Sequence, residues 1–454
     1  MSSPQRMAAK LSLTSLVVFG VAYMAPSIVI LTFGVIASRS HGSTPTSYLI
    51  AGAAMALTAL SYGKLARIYP SSGSAYTYAR KMINPHTGFL VGWAILLDYF
   101  FLPMVAWLVT AVYISAQFPS VPLWIWLVLV IAVTTAVNIL GIVLADRVNK
   151  TLLTLTLAGM AAFVVLCVKH LIFTVPSASL TTPLWNSSTS IALVSSGAAV
   201  AAYSFLGFDA ISTLSEETIN PKRNIPRGIL LVVVVGTGIF VVVSYIMQLV
   251  HPGGSFKDPS SVAFPMFNLV GGPIFANIVN IVILAGSFAS CIAVQASTSR
   301  LMFVMGRDGV LPRGFFGRLH PKLKTPTLNL LLVAVVGLIA LVLSVDTATS
   351  FINFGAFLTF TMVNICVIVH FWKQRARQNR LSVMKFVVLP LLGATVDFYL
   401  LTQLGTIALY LGLCWLALGI LYLAVLTRGF RKTPPEMSLE SQTTQSDDST
   451  LTSS

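Results

Sequence analysis

The sequence predicts an all-α integral membrane protein of about twelve transmembrane helices, and three observations predict it. The 454 residues are 56% apolar and only 9% charged, too few charges to cover the surface of a soluble protein. Apolar runs of at least ~18 residues, each long enough to cross a hydrocarbon core, recur at roughly 13–38, 45–63, 88–115, 123–144, 151–172, 190–214, 228–250, 274–299, 327–345, 350–371, 386–403 and 406–427. The third observation is where the charge sits. With a cytoplasmic N-terminus, twenty-five of the 28 Lys and Arg fall in inside segments, and only Arg39, Lys169 and Lys257 fall outside. This is the positive-inside bias, so the net charge of +15 reports topology and gives no reason to expect a nucleic-acid partner. It predicts a multi-pass protein of the inner (plasma) membrane with both termini in the cytoplasm.

Residues 1–12 form a short cytoplasmic tail carrying Arg6 and Lys10. The apolar run behind it resembles a signal peptide, but its ~26 residues exceed a signal core and no small-residue cleavage site is clear, so it is read as a retained first span. Spans one to five occupy 13–172, spans six to ten occupy 190–371, and spans eleven and twelve occupy 386–427. Too little chain lies between the spans for a soluble domain. The remainder, 428–454, is Ser/Thr-rich and polar and is expected to be disordered. The four cysteines all fall inside spans and far apart in sequence, which suits free apolar thiols better than a disulfide or a metal site.

The first and sixth spans are expected to break at mid-depth. In VVFGVAYMAPSIVILTFG, Pro26 removes a backbone donor and clashes with the preceding turn. In SSGAAVAAYSFLGFDAIS, Gly207 weakens the helix beside Phe208. Freed backbone groups survive in hydrocarbon only where they line a cavity or meet a ligand. The breaks lie five spans apart, and because five is odd the second block enters the membrane inverted. That is the pattern of a 5+5 inverted repeat with its substrate site at mid-membrane. The bland alternative is that Pro and Gly are simply commoner in membrane helices than in soluble ones.

Three acids lie inside spans, Asp98, Asp209 and Asp397, and no Lys or Arg sits at comparable depth. An unpaired acid in a bilayer costs about 2.5–3.5 kcal/mol, so each must face protein interior or water. Asp209, just past the sixth-span break, is the candidate for proton coupling, against the reading of a neutral structural acid. Asp98 and Tyr99 in LLDYFFLP are candidates for substrate binding, with a structural reading beside it. Neighbours on a helix point about 100° apart, so the pair is not expected to face one cavity. Asp397 lies outside the ten-span repeat and is read as structural or interfacial. Tyr23, Tyr203, Phe205 and Phe208 cluster around the two breaks, where they would stack on a cation or act as thin gates, or else merely pack. The six histidines show no paired ligand spacing, and no phosphate loop appears. No enzyme, catalytic residue, cofactor or resident metal is expected.

Several segments together resemble the amino acid/polyamine/organocation superfamily, and within it the bacterial putrescine importers. They are SFLGFDAISTLSEETINPKRNIPRGI (204–229), SRLMFVMGRDGVLP (299–312), SYGKLARIYPSSGSAYTYARKMINPHTGFLVGWAILLDYFFLPM (61–104), HPKLKTPTLN and INFGAFLTFTMVN. The resemblance spans nearly the whole chain. It implies a LeuT-like twelve-helix carrier with two helices added behind the repeat, importing an amine by alternating access, usually with protons. It assigns substrate contacts to the first-span break, Met24, Ala25, Pro26 and Ser27, and to Tyr203, Ser204, Phe205, Gly207 and Phe208 in the sixth span. Asp209 matches an acidic position tied to proton coupling. The chain departs from the pattern in two places. MAPS replaces the Gly-Ser-Gly bend of many amino acid carriers, and Leu31-Thr32-Phe33-Gly34 stands where the putrescine importers have Asp-Thr-Phe-Gly. The expected function is therefore a secondary importer of putrescine, another polyamine or a related amine by proton symport. Sodium is the alternative ion, through Ser287 and Ser290. A permease for a neutral or cationic amino acid and a non-transporting amine sensor are the competing readings, while a channel lacks any visible ring of filter residues.

Overall fold

In the computed structural model, residues 11–69, 75–140, 146–174, 179–307, 309–323, 325–376 and 381–435 are described. Among them no strand forms, and the chain runs through fifteen α-helices. They are α1 Leu13–Tyr23, α2 Ile28–Arg39, α3 Thr44–Ile68, α4 Ala75–Met82, α5 Pro85–Gln117, α6 Leu123–Ile139, α7 Asp146–Thr174 and α8 Ile191–Ala201. There follow α9 Pro221–Val250, α10 Ala263–Arg307, α11 Arg313–Phe316, α12 Thr327–Gly337, α13 Val345–Ala376, α14 Leu389–Thr402 and α15 Thr406–Leu426. Local chemistry sets several starts. Ser12, Asn84 and Ser190 accept the amides of Ser15, Thr87 and Leu193, and Pro85 opens α5 where a missing N–H costs nothing.

Every expected span contains helix. Nine helices among the described residues are long and apolar enough to cross a membrane, ten with the bent pair α1–α2 counted as one. The fourth and ninth expected spans are shorter. α6 has 17 residues, and α12 has 11 before tightening into a 3-10 turn to Val342. The eighth span belongs to a 45-residue helix kinked at Gly272, where Pro273 follows and removes a ladder donor. The chain is thus an all-α, multi-pass membrane protein.

The packing centres on α3, α5, α9, α10 and α13. α3 lies along α9, α5 packs on both α10 and α13, and α7 leans on α10. Trp107 and Phe357 are fully buried in this core. α15 is held to α5 by a reciprocal clasp: the Trp93 indole donates to the Trp415 carbonyl at 2.9 Å, and the Trp415 indole donates to the Trp93 carbonyl at 3.0 Å. All four cysteines are free, Cys167, Cys291 and Cys366 buried and Cys414 exposed. Of the expected C-terminal tail, 436–454 lies outside the described residues.

Candidate functional site

The first apolar run is cut at residues 24–27, and the axes of α1 and α2 diverge by 52°. Ala25 takes φ 48°, a region costing a residue with a Cβ of order 1 kcal/mol, and Pro26 cannot continue the ladder. Ser27 places no side-chain cap on α2, and the Ile28 and Ile30 amides at its start donate to the Ala25 and Ser27 carbonyls at 2.9 and 3.0 Å.

In the sixth span α8 ends at Ala201 and tightens into a 3-10 turn, Ala202–Phe205. Gly207 turns the chain at φ 99°, and the segment Phe208–Glu217 continues as 3-10 helix. The expected second half-helix is therefore not α-helical. The Ser215 and Thr218 hydroxyls bond to the carbonyls of Ser212 and Leu214, competition that loosens the α pattern. The break is at the glycine that the sequence marks.

The two breaks meet directly. A Cβ on Gly207 would overlap the Tyr23 ring, so the bare glycine seats the aromatic that closes α1. Gly207→Ala is expected to abolish transport while the protein still reaches the membrane. It adds both the left-handed strain and the collision with Tyr23. Uptake normalised to membrane-inserted protein checks this, and unimpaired uptake would contradict the contact.

Around this contact lie several accessible polar side chains, with the exposed Phe19 ring 6.1 Å from that of Tyr23. Tyr23 keeps 37% of its surface exposed, and Asp98, Tyr99, Tyr203 and Asp209 are half-buried. The Asp98 and Asp209 carboxyls act on one another electrostatically, and both act on Tyr23 and Tyr99. Asp98 and Tyr99 are thus both partly accessible and both within electrostatic reach of Tyr23, and the space among these side chains is the candidate recess. Tyr99 reaches Tyr23. Tyr203 also senses Asp98.

The two carboxyls differ in what holds them. The backbone amides of Gly207, Asp209 and Ala210 approach Asp209. Asp98 keeps a buried Oδ1 with no hydrogen-bond donor among the described residues. Neither has a cationic partner; the ion pair found among the described residues is Arg39–Asp346.

Other expected site residues turn out to be buried. Phe205 packs edge-on against Phe240, and Phe208 lies against Tyr62 and Phe360. Ser204 is bonded to the Tyr48 hydroxyl at 3.1 Å. The Met24 side chain reaches Gly236 on α9 instead of the recess, and Ser27 is buried. Tyr62 is a residue the sequence reading missed. Its hydroxyl is buried without a partner, its ring meets Phe208 at 5.8 Å, and it senses Asp209 and Asp98. The only trace in the sequence is a polar aromatic in the quoted segment SYGK, with no periodicity to aim it.

The two ends of the break are packed unequally. Every residue from Val29 to Ala37 on α2 is buried. Beyond them Arg39 donates to Asp346 through Nε at 3.1 Å and Nη2 at 2.5 Å, tying the far end of α2 to the start of α13 beside a cavity of about 400 Å³. On α1 only Leu16 and Gly20 are buried. Its free end is joined to the sixth span by a parallel bridge of Leu11 and Thr218, with the Ile219 amide donating to the Leu11 carbonyl at 3.0 Å. More of α2 than of α1 is therefore buried against the rest of the bundle.

The amino acid permease family profile matches residues 13–439. The chain is 40% identical over 94% of its length, and 95% of the relative's, to the low-affinity putrescine importer PlaP of Escherichia coli K12. It is 26% identical to the methylthioribose transporter of Bacillus subtilis, covering 92% of this chain and 94% of that one. To the branched-chain amino acid permease BcaP of the same organism it is 27% identical, over 85% and 86% of the two chains.

Proposed function

The chain belongs to the amino acid permease family, and we propose that it is a secondary transporter importing putrescine or a closely related amine by proton symport. The observation that carries this reading is Asp98, an acceptor without a donor, near Asp209 at the meeting of the two broken helices, with no basic side chain acting on either. A recess of net negative charge selects a cation through charge-assisted hydrogen bonds. Tyr23, Tyr99 and Tyr203 add ring faces for the ammonium. The PlaP relative supports the same substrate class.

In the proposed cycle substrate enters between the broken helices and Asp209 takes a proton. One bundle then rocks against the other, and both ligands leave on the opposite side. The ten core spans form two inverted repeats, 13–172 and 190–371, with 386–427 added. The packing supports this, because shifting by five spans exchanges like pairs. α5 on α13 corresponds to α10 on α7, α5 on α12 to α10 on α6, and α3 on α8 to the α1–α2 pair on α9. Both termini face the cytoplasm, so the Arg39 end of α2 faces outward.

An amino acid is the second reading, favoured by the uncapped start of α2, whose partial positive charge suits a carboxylate. Uptake of labelled putrescine into proteoliposomes, with amino acids as competitors and with or without a pH gradient, separates the two. Saturable uptake that amino acids leave intact and that a pH gradient concentrates is expected. No saturable putrescine flux would overturn the proposal, and equal competition by neutral amino acids would favour the second reading.

A further inference from the structure

A third span carboxyl lies away from the recess. Asp397 on α14 is fully buried, among Thr58 of α3 and Asn364 of α13, which are buried as well. Helix α14 comes close here because Gly393, one turn before Asp397, has no side chain; a Cβ there would press on the Asn364 amide, 2.9 Å from its Oδ1. Gly393 and Asp397 share a face at i and i+4, so the acid and the amide are brought together by construction.

Counting donors leaves the cluster one hydrogen short. The Thr58 hydroxyl donates to Asp397 Oδ2 at 2.6 Å. The two hydrogens of Asn364 Nδ2 serve Asp397 Oδ2 at 3.1 Å, Thr58 Oγ1 at 2.9 Å and the Phe360 carbonyl at 3.1 Å. The Phe360 carbonyl accepts only, which fixes the amide orientation. Two oxygens remain without any donor, Asp397 Oδ1 and Asn364 Oδ1, both buried. The elements packed against this point carry as ionisable groups Tyr48, Tyr62, Lys64 and Arg67 on α3, Asp346, Cys366, His370, Lys373 and Arg375 on α13, Tyr399 on α14 and Lys385 just before it. None of them acts on the carboxyl; Thr58 and Asn364 alone do. An ionised carboxylate here would be a buried charge with one bare oxygen and no counter-ion.

We propose that Asp397 is a second proton-holding site, its proton residing on Oδ1 and donated to Asn364 Oδ1. Acid and amide then form a closed two-bond pair, N–H to carboxyl oxygen on one edge and O–H to amide oxygen on the other. This pair pins α14 to α3 and α13. Because Asn364 also donates to the carbonyl of Phe360, whose ring lies 5.2 Å from that of Phe208, the pin supports the wall of the sixth-span break. The proton is resident, sealed from the recess, and is not the one transported.

The test is infrared spectroscopy of the purified full-length protein at neutral pH, together with thermal unfolding in detergent. The difference between wild type and Asp397→Asn is expected to contain the carbonyl stretch of a protonated carboxyl, lost in the variant. The variant amide reproduces both bonds, so its unfolding midpoint is expected to stay unchanged from mildly acid to mildly alkaline pH. Asp397→Leu, which strands Asn364, is expected to lower it. Absence of the protonated-carboxyl band would overturn the proposal. So would a sodium-dependent rise in the wild-type midpoint that Asp397→Asn removes, since the site would then hold a metal cation. Should Asp397→Asn fail to fold, the band is sought in an Asp98→Asn/Asp209→Asn double variant, where its absence is equally decisive.

Discussion

Asp209→Asn is expected to abolish accumulation of substrate against its gradient while sparing exchange at equal concentrations on the two sides. In the proposed cycle the carboxyl is the group that takes up and releases the proton. It follows Gly207 by two residues, the amides of Gly207, Asp209 and Ala210 approach it, and it is half-buried beside the Tyr23–Gly207 contact. An amide of the same shape keeps the polar contacts but cannot load and unload a proton. Each pH unit across the membrane supplies about 1.4 kcal/mol per proton, a tenfold concentration ratio, and the variant is expected to forfeit that ratio. Proteoliposomes carrying an imposed pH gradient measure it directly. Undiminished pH-driven accumulation would remove Asp209 from the coupling role and leave it as a structural acid.

Asp98→Asn is expected to raise the KM for putrescine ten- to a hundredfold, with little loss of inserted protein. No donor among the described residues satisfies a buried oxygen of the wild-type carboxyl, and in the proposed function the substrate ammonium supplies it. A charged hydrogen bond of this kind contributes about 1.5–3 kcal/mol. The neutral amide gives up that interaction with a cation while fitting the same space. Because an unpartnered carboxylate is costly at this depth, the variant is expected to be as stable as the wild type or more so. KM measured alongside the unfolding midpoint separates the roles. An unchanged KM with a lowered midpoint would mean that Asp98 serves the fold.

Much of this was legible in the sequence because the bilayer is a severe solvent. It forces long apolar helices, makes each Pro26 or Gly207 a visible interruption, and renders an acid such as Asp209 conspicuous by its cost. The spans, the two breaks and the acids therefore needed only one-dimensional reading. Local dihedrals were harder. Pro26 pointed to the first break, yet the residue that takes the left-handed angle is Ala25, where the rule for a residue before proline favours extended backbone.

By itself the sequence determined the membrane class, the positions of the spans and the two interruptions, since each depends on a residue and its chain neighbours. Which flagged side chains see the recess was decided only in three dimensions. Phe205 and Phe208 turn into the core while Asp98 and Tyr99 both stay accessible. Arg39 finds Asp346, 307 residues away. Asp397 completes its bonds through Thr58 and Asn364 from two other helices. Helical periodicity assigns a face relative to its own axis, and only the packing of helices against one another says what that face meets.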